Sequence, residues 1–177
     1  MSGLLIRDAR AADRDTIRAL TLAAYAEHAR VMAPDAWAGL DGAVRAALET
    51  EGEGVERIVA ERAGELVGSV MLYSPSVDAY GGIAKRVSWP ELRLLAVAPT
   101  LRGAGIGQAL VEECARRARR AGAAELGLHT SESLRAAVRM YERMGFVRAP
   151  EFDFRPGGAE LVMAYRLPLA DSLTDGE

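Results

Sequence analysis

The segment Arg102–Gln108 has the residue types and spacing of an anion-binding turn. Glycine occupies positions 103, 105 and 107, and a backbone without side chains at alternate positions can turn its N–H groups toward one concavity. The helix predicted behind the turn adds unpaired N–H groups and the positive end of its dipole. Such a combination suits a phosphate or a pyrophosphate, and the Arg102 side chain is a further candidate donor. The alternative is that the glycines only permit a tight strand-to-helix turn.

Two well-known phosphate motifs do not fit this segment. A Walker A loop needs Gly-Lys-Ser/Thr, and that triplet does not occur in the chain. A dinucleotide fingerprint needs Gly or Ala at position 108, where the chain has Gln108. The turn therefore requires another interpretation.

Hydrophobic periodicity and turn residues predict the elements that position this segment. A strand over 91–97 precedes it, and a helix that reaches Ala121 follows it. The other predicted elements are an edge strand over 4–7, helices that begin after Asp13 and Pro34, a hairpin over 57–61 and 66–73, a loop over 74–90, a strand over 124–129, a helix capped by Ser131 that runs to Met144, and a final hairpin over 151–154 and 160–167. This order predicts an α/β fold in which helices flank a central mixed sheet. We expect one domain over 1–167 and a polar tail over 168–177.

Two blocks of the sequence resemble a known family. Residues 91–107 are similar to the acyl-CoA-binding core of the GCN5-related N-acetyltransferases (GNAT), whose signature Arg/Gln-x-x-Gly-x-Gly/Ala is met at Arg102, Gly105 and Gly107. Residues 137–146 are similar to the family's Ala-x-x-x-Tyr-x-x-x-Gly-Phe block. The resemblance implies the GNAT fold, with a mostly antiparallel central sheet, and acetyl transfer from acetyl-CoA to an amine.

The resemblance also implies how acetyl-CoA is held. The pantetheine arm would bind the backbone near Leu95 and Val97, where the strand over 91–97 separates from the next strand. Its pyrophosphate would bind the turn formed by Arg102, Gly103, Ala104, Gly105, Ile106, Gly107 and Gln108. Many relatives bind pantetheine through an Asn seven residues before the family tyrosine, but this chain has Leu134 there. We expect the neighbouring Ser133, or Ser131, to replace that contact.

Glu91 is the candidate base, since it matches a basic glutamate of the histone-type members of the family. An alkyl ammonium has a pKa of about 10, so it must lose a proton before it attacks a thioester. Regular alternation would place Glu91 on one strand face with Arg93, Leu95 and Val97, and Leu92 and Leu94 on the other. The alternatives are an ion pair with Arg93 or Arg86, or a water chain in place of one fixed base.

Tyr141 is the candidate acid, because the resemblance implies that it points at the thioester sulfur. A phenol is protonated at neutral pH and can donate to a leaving thiolate, although Tyr141 also lies on an apolar helix face.

His129 could be a base or only a hydrogen-bond partner. With two histidines and a Cys114 that continues an apolar stripe, we expect no metal site.

Composition limits the partners. The chain of 177 residues is 50% hydrophobic and has a formal net charge of −3, which argues against nucleic acid as a partner. One cysteine, no apolar membrane span and no signal peptide indicate a cytoplasmic location.

The expected acceptor is a primary amine of a small molecule or peptide, and the regions implied to bind it contain Tyr25, Glu27, Trp37, Tyr80, Trp89, Phe152 and Asp153. The alternatives are a CoA-binding sensor or structural module without turnover, and an acyltransferase that uses another acyl-CoA. Pairing of an exposed strand at 160–167 would give a homodimer.

Overall fold

A seven-stranded sheet is the centre of the fold. The computed structural model describes residues 3–156 and 160–169. The strands are β1 (Leu5–Asp8), β2 (Val55–Arg62), β3 (Glu65–Tyr73), β4 (Glu91–Val97), β5 (Glu125–Ser131), β6 (Val147–Arg148) and β7 (Val162–Pro168), in the order β1-β2-β3-β4-β5-β7-β6. All neighbouring pairs are antiparallel except β4 and β5. The predicted α/β fold with a mixed, mostly antiparallel sheet is confirmed.

Two pairs of helices cover opposite faces of this sheet. They are α1 (Arg14–Ala26), α2 (Pro34–Leu48), α3 (Ile106–Arg120) and α4 (Arg135–Arg143). Helices α3 and α4 pack on one face through a core that includes Leu110 and Tyr141, whereas α1 and α2 pack on the other through a core that includes Ile17 and Val44. The strands supply each core by alternation, since Ile58 of β2 faces the first helix pair and Val59 faces the second.

Local chemistry explains where several elements begin and turn. Pro34 occupies the first position of α2, where its missing N–H costs no helical bond. Ala63 and Gly64 have φ values of 53° and 81°, which is the backbone that a tight hairpin between β2 and β3 needs. Gly122 has a φ of 80° immediately after α3 and ends that helix as predicted.

Strand β4 contains a bulge that the sequence analysis did not predict. Its pairing with β3 shifts by one residue between Ser69↔Ala96 and Met71↔Arg93, and Leu94 has a φ of 54°. Leu92 therefore packs beneath α3, but Leu94 packs beneath α1 and α2. The predicted alternation along β4 is wrong for this reason. Glu91 and Arg93 lie on the α1/α2 side, whereas Leu95 and Val97 pack with the α3 core.

The end of the chain also differs from the prediction. Ser131 is the last residue of β5 and does not cap α4, which begins at Arg135 after an N-cap at Leu134. Residues 150–152 form a 3₁₀ turn, and the predicted strand over 151–154 is reduced to one bridge between Phe154 and Val162. The Ala164 N–H of β7 donates to the Asp153 side chain at 2.8 Å, and not to a backbone carbonyl of this segment. The predicted turn at Pro156-Gly157-Gly158 lies largely outside the described residues.

The last strand is not an edge of the sheet. β7 pairs with β5 over its whole length and with β6 at Arg166 and Tyr165, so the exposed strand predicted at 160–167 is wrong, and the homodimer stays a prediction. β7 extends to Pro168, and the side chain of Leu169 is buried in the core. In the described part of the chain, none of the helices has the length and apolar character to cross a membrane.

Candidate active site

The glycine turn presents unpaired main-chain donors at the start of α3. Gly103 and Gly105 have φ values of 79° and 78°, a conformation that favours glycine, and Gly105 is the N-cap of the helix. The first helical bond runs from the Ala109 N–H to the Gly105 carbonyl. Among the described residues, no acceptor pairs with the N–H groups of residues 103–108. These groups therefore remain available to an anion.

The side chains of the turn point to other partners. The Arg102 guanidinium donates to the Glu27 carboxylate and to the Ala24 carbonyl at 3.2 Å, so it joins the turn to the end of α1. Gln108 Nε2 donates to Glu112 Oε1 at 2.9 Å, and Ile106 is buried in the core. The donors offered at the turn are thus N–H groups of the main chain, and the ion pair with Glu27 competes with the predicted contact from Arg102 to a phosphate.

Beside the turn, strand β4 separates from β5. The two strands pair at Glu91↔Gly127 and at no later residue of β4, whereas β5 and β7 pair at seven positions from Glu125 to Ser131. From Leu92 to Val97, the edge of β4 that faces β5 has no strand partner among the described residues. An extended, amide-containing molecule could satisfy such an edge as an added strand would.

A buried polar atom lies after the end of β5. Ser133 donates its backbone N–H to Glu160 Oε1 at 2.7 Å, but its Oγ is buried and makes no hydrogen bond within the described residues. Leu134, at the position of the family Asn, is the N-cap residue of α4 and has no polar side chain to offer. The free Ser133 Oγ is consistent with the predicted replacement contact, which stays a prediction.

Tyr141 packs in the core and also has a hydroxyl that can donate a proton. Its side chain is buried and its ring packs edge-on against Phe146 with centroids 5.5 Å apart. Its hydroxyl makes no hydrogen bond to any described residue. Burial raises the pKa of Tyr141 far above its ordinary value, and the nearby Tyr25 adds to the rise. The phenol therefore stays protonated through the neutral range and can act as a donor.

Glu91 forms a buried pair with His129 rather than with either arginine. His129 Nδ1 lies 3.0 Å from Glu91 Oε2, and the two side chains are 1% and 5% exposed. His129 Nε2 lies 3.0 Å from the carbonyl oxygen of Phe152. Because a carbonyl only accepts, Nε2 must carry a proton, and a second proton is then shared between Nδ1 and Glu91. The pair is thus an imidazolium with a carboxylate, or an imidazole with a carboxylic acid.

Aromatic and cationic groups surround this pair. The Tyr80 ring lies edge-on to the His129 ring with centroids 4.7 Å apart, and the Arg93 guanidinium lies 4.5 Å from the centroid of the Tyr80 ring. Arg93 also donates to the Ala79 carbonyl. Burial raises the pKa of Tyr80 well above its ordinary value, and the Glu91 charge adds to this effect. The loop over 74–90 therefore closes around the candidate base.

Gly127 and Trp89 are site residues that the sequence analysis missed or did not explain. The Trp89 indole lies against the Gly127 backbone, so that a Cβ at Gly127 would meet Trp89 Nε1 at 2.0 Å. Gly127 donates its N–H to the Pro90 carbonyl at the pair where β4 and β5 part. A glycine inside a strand signals a close approach, but only the fold identifies the indole as the neighbour.

These features define a class of protein: an α/β domain whose sheet opens between two strands, beside a turn whose main-chain N–H groups have no partner among the described residues. The chain belongs to the Acetyltransferase (GNAT) family, whose profile matches residues 20–146, more than half of its length.

Three further comparisons extend this result. The chain is 36% identical over 92 residues to a mycothiol acetyltransferase from Thermobispora bispora, a match that covers 51% of this chain and 29% of that protein. It is 32% identical over 107 residues to an IAA acetyltransferase from Azospirillum brasilense, covering 60% and 64%, so the matches span less than two thirds of either relative. An acetyltransferase from Salmonella typhimurium, solved with its cofactor acetyl-CoA, shares the fold with a TM-score of 0.63 and 20% identity over 98% of each chain.

Proposed function

We propose that this protein is an N-acetyltransferase that transfers the acetyl group of acetyl-CoA to a primary amine of a small molecule or peptide. The observation that carries the proposal is the row of unpaired N–H groups at residues 103–108, beside the unpartnered edge of β4. The N–H groups suit a pyrophosphate, and the strand edge suits an amide-bearing arm. The two features together therefore fit one molecule that contains both groups. Use of acetyl-CoA further supports a cytoplasmic location.

The chain's own residues fit acetyl-CoA as a substrate at three points. The amides of the turn suit its pyrophosphate, the edge of β4 near Leu95 and Val97 suits the amides of its arm, and the Ser133 Oγ supplies a further hydrogen-bonding atom. Membership of the GNAT family and the acetyl-CoA bound to the Salmonella relative support the same assignment.

In the proposed reaction, Glu91 is the carboxylate of the imidazolium–carboxylate form of its pair with His129, and it receives the proton that the acceptor ammonium must lose. The neutral amine then attacks the thioester carbonyl within a ternary complex, an N–C bond forms and the C–S bond breaks. His129 is a positioning residue, because its Nδ1 fixes the Glu91 carboxylate and its Nε2 anchors the ring to the Phe152 carbonyl. Low exposure keeps competing water away from this pair.

Tyr141 supplies the other proton in this scheme. Its side chain is buried, and its protonated hydroxyl has no hydrogen-bond partner among the described residues. It donates to the thiolate of coenzyme A as the C–S bond breaks, and the phenolate then takes the second proton that the nitrogen loses as the amide forms. Tyr141 belongs to the core beneath α3, whereas Glu91 lies on the opposite face. The acid and the base are thus separated by the sheet and would meet the reacting groups through the opening between β4 and β5.

A paired binding and turnover experiment tests the proposal. Coenzyme A should raise the melting temperature, and a panel of primary amines and peptides should include acceptors that release its thiol from acetyl-CoA. Stabilisation without release across all acceptor classes would instead assign a CoA-binding module without turnover. Release that is faster with a longer acyl-CoA would assign a different acyl donor, and the absence of any stabilisation would overturn the proposal.

A further inference from the structure

Tyr73, Tyr80 and Trp89 line one cavity beside Glu91 and His129. Their buried polar atoms are the Tyr73 hydroxyl, the Tyr80 hydroxyl and the Trp89 Nε1, and none of them has hydrogen-bond geometry to a described residue. The Tyr80 hydroxyl nevertheless lies close to the Glu91 carboxylate. Tyr73 and Trp89 are 2% and 6% exposed. Buried polar groups are nearly always hydrogen-bonded, so three orphans in one place indicate a missing partner.

We infer that this cavity binds an oxygen atom of the acceptor, so that the preferred substrates are primary amines that also carry a carbonyl or carboxylate group. Amino acids and their amides are the simplest members of this class. The inference rests on the proposed function, because it names the acceptor for that site. An indole N–H can only donate, and the two phenols can donate as well. The partner common to all three is therefore a hydrogen-bond acceptor.

The three donors come from separate segments that the fold brings together. Tyr73 ends β3 and is paired in register with Glu91, Tyr80 lies in the loop over 74–90, and Trp89 precedes β4. Trp89 lies against the Gly127 backbone and packs edge-on with the Phe152 ring, with centroids 4.9 Å apart. The donors are therefore held in place before any ligand binds, which lowers the entropic cost of binding.

Size and charge restrict the group that can enter. The cavity has room for about one water-sized group, which fits one oxygen atom but not an aromatic ring. Lys85 and Arg86 line the wall as cations, whereas Asp78 and Glu91 line it as carboxylates. Because the charges are mixed, the wall does not select an anion alone, and both a carbonyl and a carboxylate satisfy the donors.

Binding can be tested without turnover through the indole N–H signals in a two-dimensional NMR spectrum. The chain has two tryptophans, and Trp37→Phe assigns their signals. Trp37 lies on α2 and does not line this cavity, so it is the internal reference. Titration of the intact protein with glycinamide or glycine should shift the Trp89 signal and leave the Trp37 signal in place, while propylamine should shift neither. If none of the three amines shifts Trp89, the cavity holds only water and the inference is overturned.

Turnover distinguishes the inference from the proposed function. Tyr73→Phe removes one donor, so KM for glycinamide should rise about tenfold, while KM for propylamine stays the same. Tyr165→Phe is the matched control, since its hydroxyl binds Glu142 outside the cavity. Equal use of propylamine and glycinamide by the unaltered protein would overturn the inference and leave the acetyltransferase intact. Thiol release with neither amine, together with no stabilisation by coenzyme A, would overturn the proposed function instead.

Discussion

The two halves of the candidate site are built in opposite ways. The glycine turn offers main-chain N–H groups from six consecutive residues, 103–108, and leaves them unpaired. The acid–base region places Glu91, His129 and the Phe152 carbonyl in contact although they are far apart in sequence. The turn requires glycine at two positions and no particular side chain elsewhere. The acid–base region, in contrast, depends on particular side chains in one arrangement.

This difference indicates how each half should respond to substitution. At the turn, the effective changes are those that add atoms where a ligand would lie, and they should alter affinity. In the acid–base region, the effective changes are those that remove a proton acceptor or donor, and they should alter rate. If one substitution changed both properties to the same extent, the separation between the two regions would be wrong.

Glu91→Gln should have the largest effect. The amide keeps the shape of the side chain and can donate to His129 Nδ1, so the buried pair stays hydrogen-bonded, but it cannot take a proton from the acceptor. We expect kcat to fall about 10²- to 10⁴-fold at neutral pH, with little change in the affinity for coenzyme A. Steady-state kinetics and calorimetry measure the two quantities.

The pH profile of the same variant identifies the cause. Without a base, only acceptor molecules that are already neutral can react, and their fraction increases as pH rises toward the amine pKa of about 10. The loss of kcat in Glu91→Gln, relative to the unaltered protein, should therefore be largest at low pH and should decrease as pH rises. Glu61→Gln on β2 is the matched control, since Glu61 pairs with Arg7. A deficit that is constant with pH would count against Glu91 as the base.

Gly105→Glu should have the next largest effect, and on affinity. A side chain at this residue meets no protein atom within 4 Å, so the new carboxylate would project into the space that the anion needs. We expect the affinity for coenzyme A to fall about 100-fold, or about 2.7 kcal/mol, and the stabilisation by coenzyme A to disappear.

The strain of a left-handed residue must be separated from that effect. Gly64→Glu provides the control, because Gly64 has a φ of 81° and equally open surroundings, but lies in the β2–β3 turn. Both variants should lose a similar free energy of unfolding, about 1 kcal/mol. If Gly64→Glu weakens coenzyme A binding as much as Gly105→Glu does, the turn is not the anion site.

Tyr141→Phe should have a smaller effect, confined to rate. We expect kcat to fall about tenfold, because a thiolate derived from a thiol of pKa about 8.5 leaves readily even without a proton. Phenylalanine keeps the contact with Phe146, and no hydrogen bond is lost, so the affinity for coenzyme A should be unchanged. Full activity of this variant in initial-rate measurements would exclude Tyr141 as the acid.

The sequence predicted the part of the site that is local. Alternate glycines between a strand and a helix indicate a main-chain anion site whatever the rest of the fold does, and the structure has the turn and helix at those residues. The strand over 91–97 and the end of α3 at Gly122 were predicted for the same reason. Each depends on neighbours within a few residues.

The acid–base region could not be predicted in this way. The bulge at Leu94 reverses which residues share a face of β4, and nothing in the residue types of 91–97 signals the extra residue. The pairing of Glu91 with His129 depends on the one position where β4 and β5 meet, and the anchor at Phe152 depends on a 3₁₀ turn that replaced a predicted strand. Long-range contacts decide all three.

The smallest predicted effect tests whether water reaches the hydroxyl groups of the buried tyrosines. Burial raises the pKa of Tyr25 to about 12 and raises those of Tyr80 and Tyr141 well above their ordinary values. Since the folded values exceed the unfolded value of about 10, the stabilisation is complete below pH 10 and is lost as pH rises above it. Each tyrosine should then lower the free energy of unfolding by up to about 1.4 kcal/mol per pH unit. Denaturant unfolding at pH 8 to 11 should show a shallower decline for Tyr141→Phe than for the unaltered protein, whereas equal declines would mean that water reaches the Tyr141 hydroxyl.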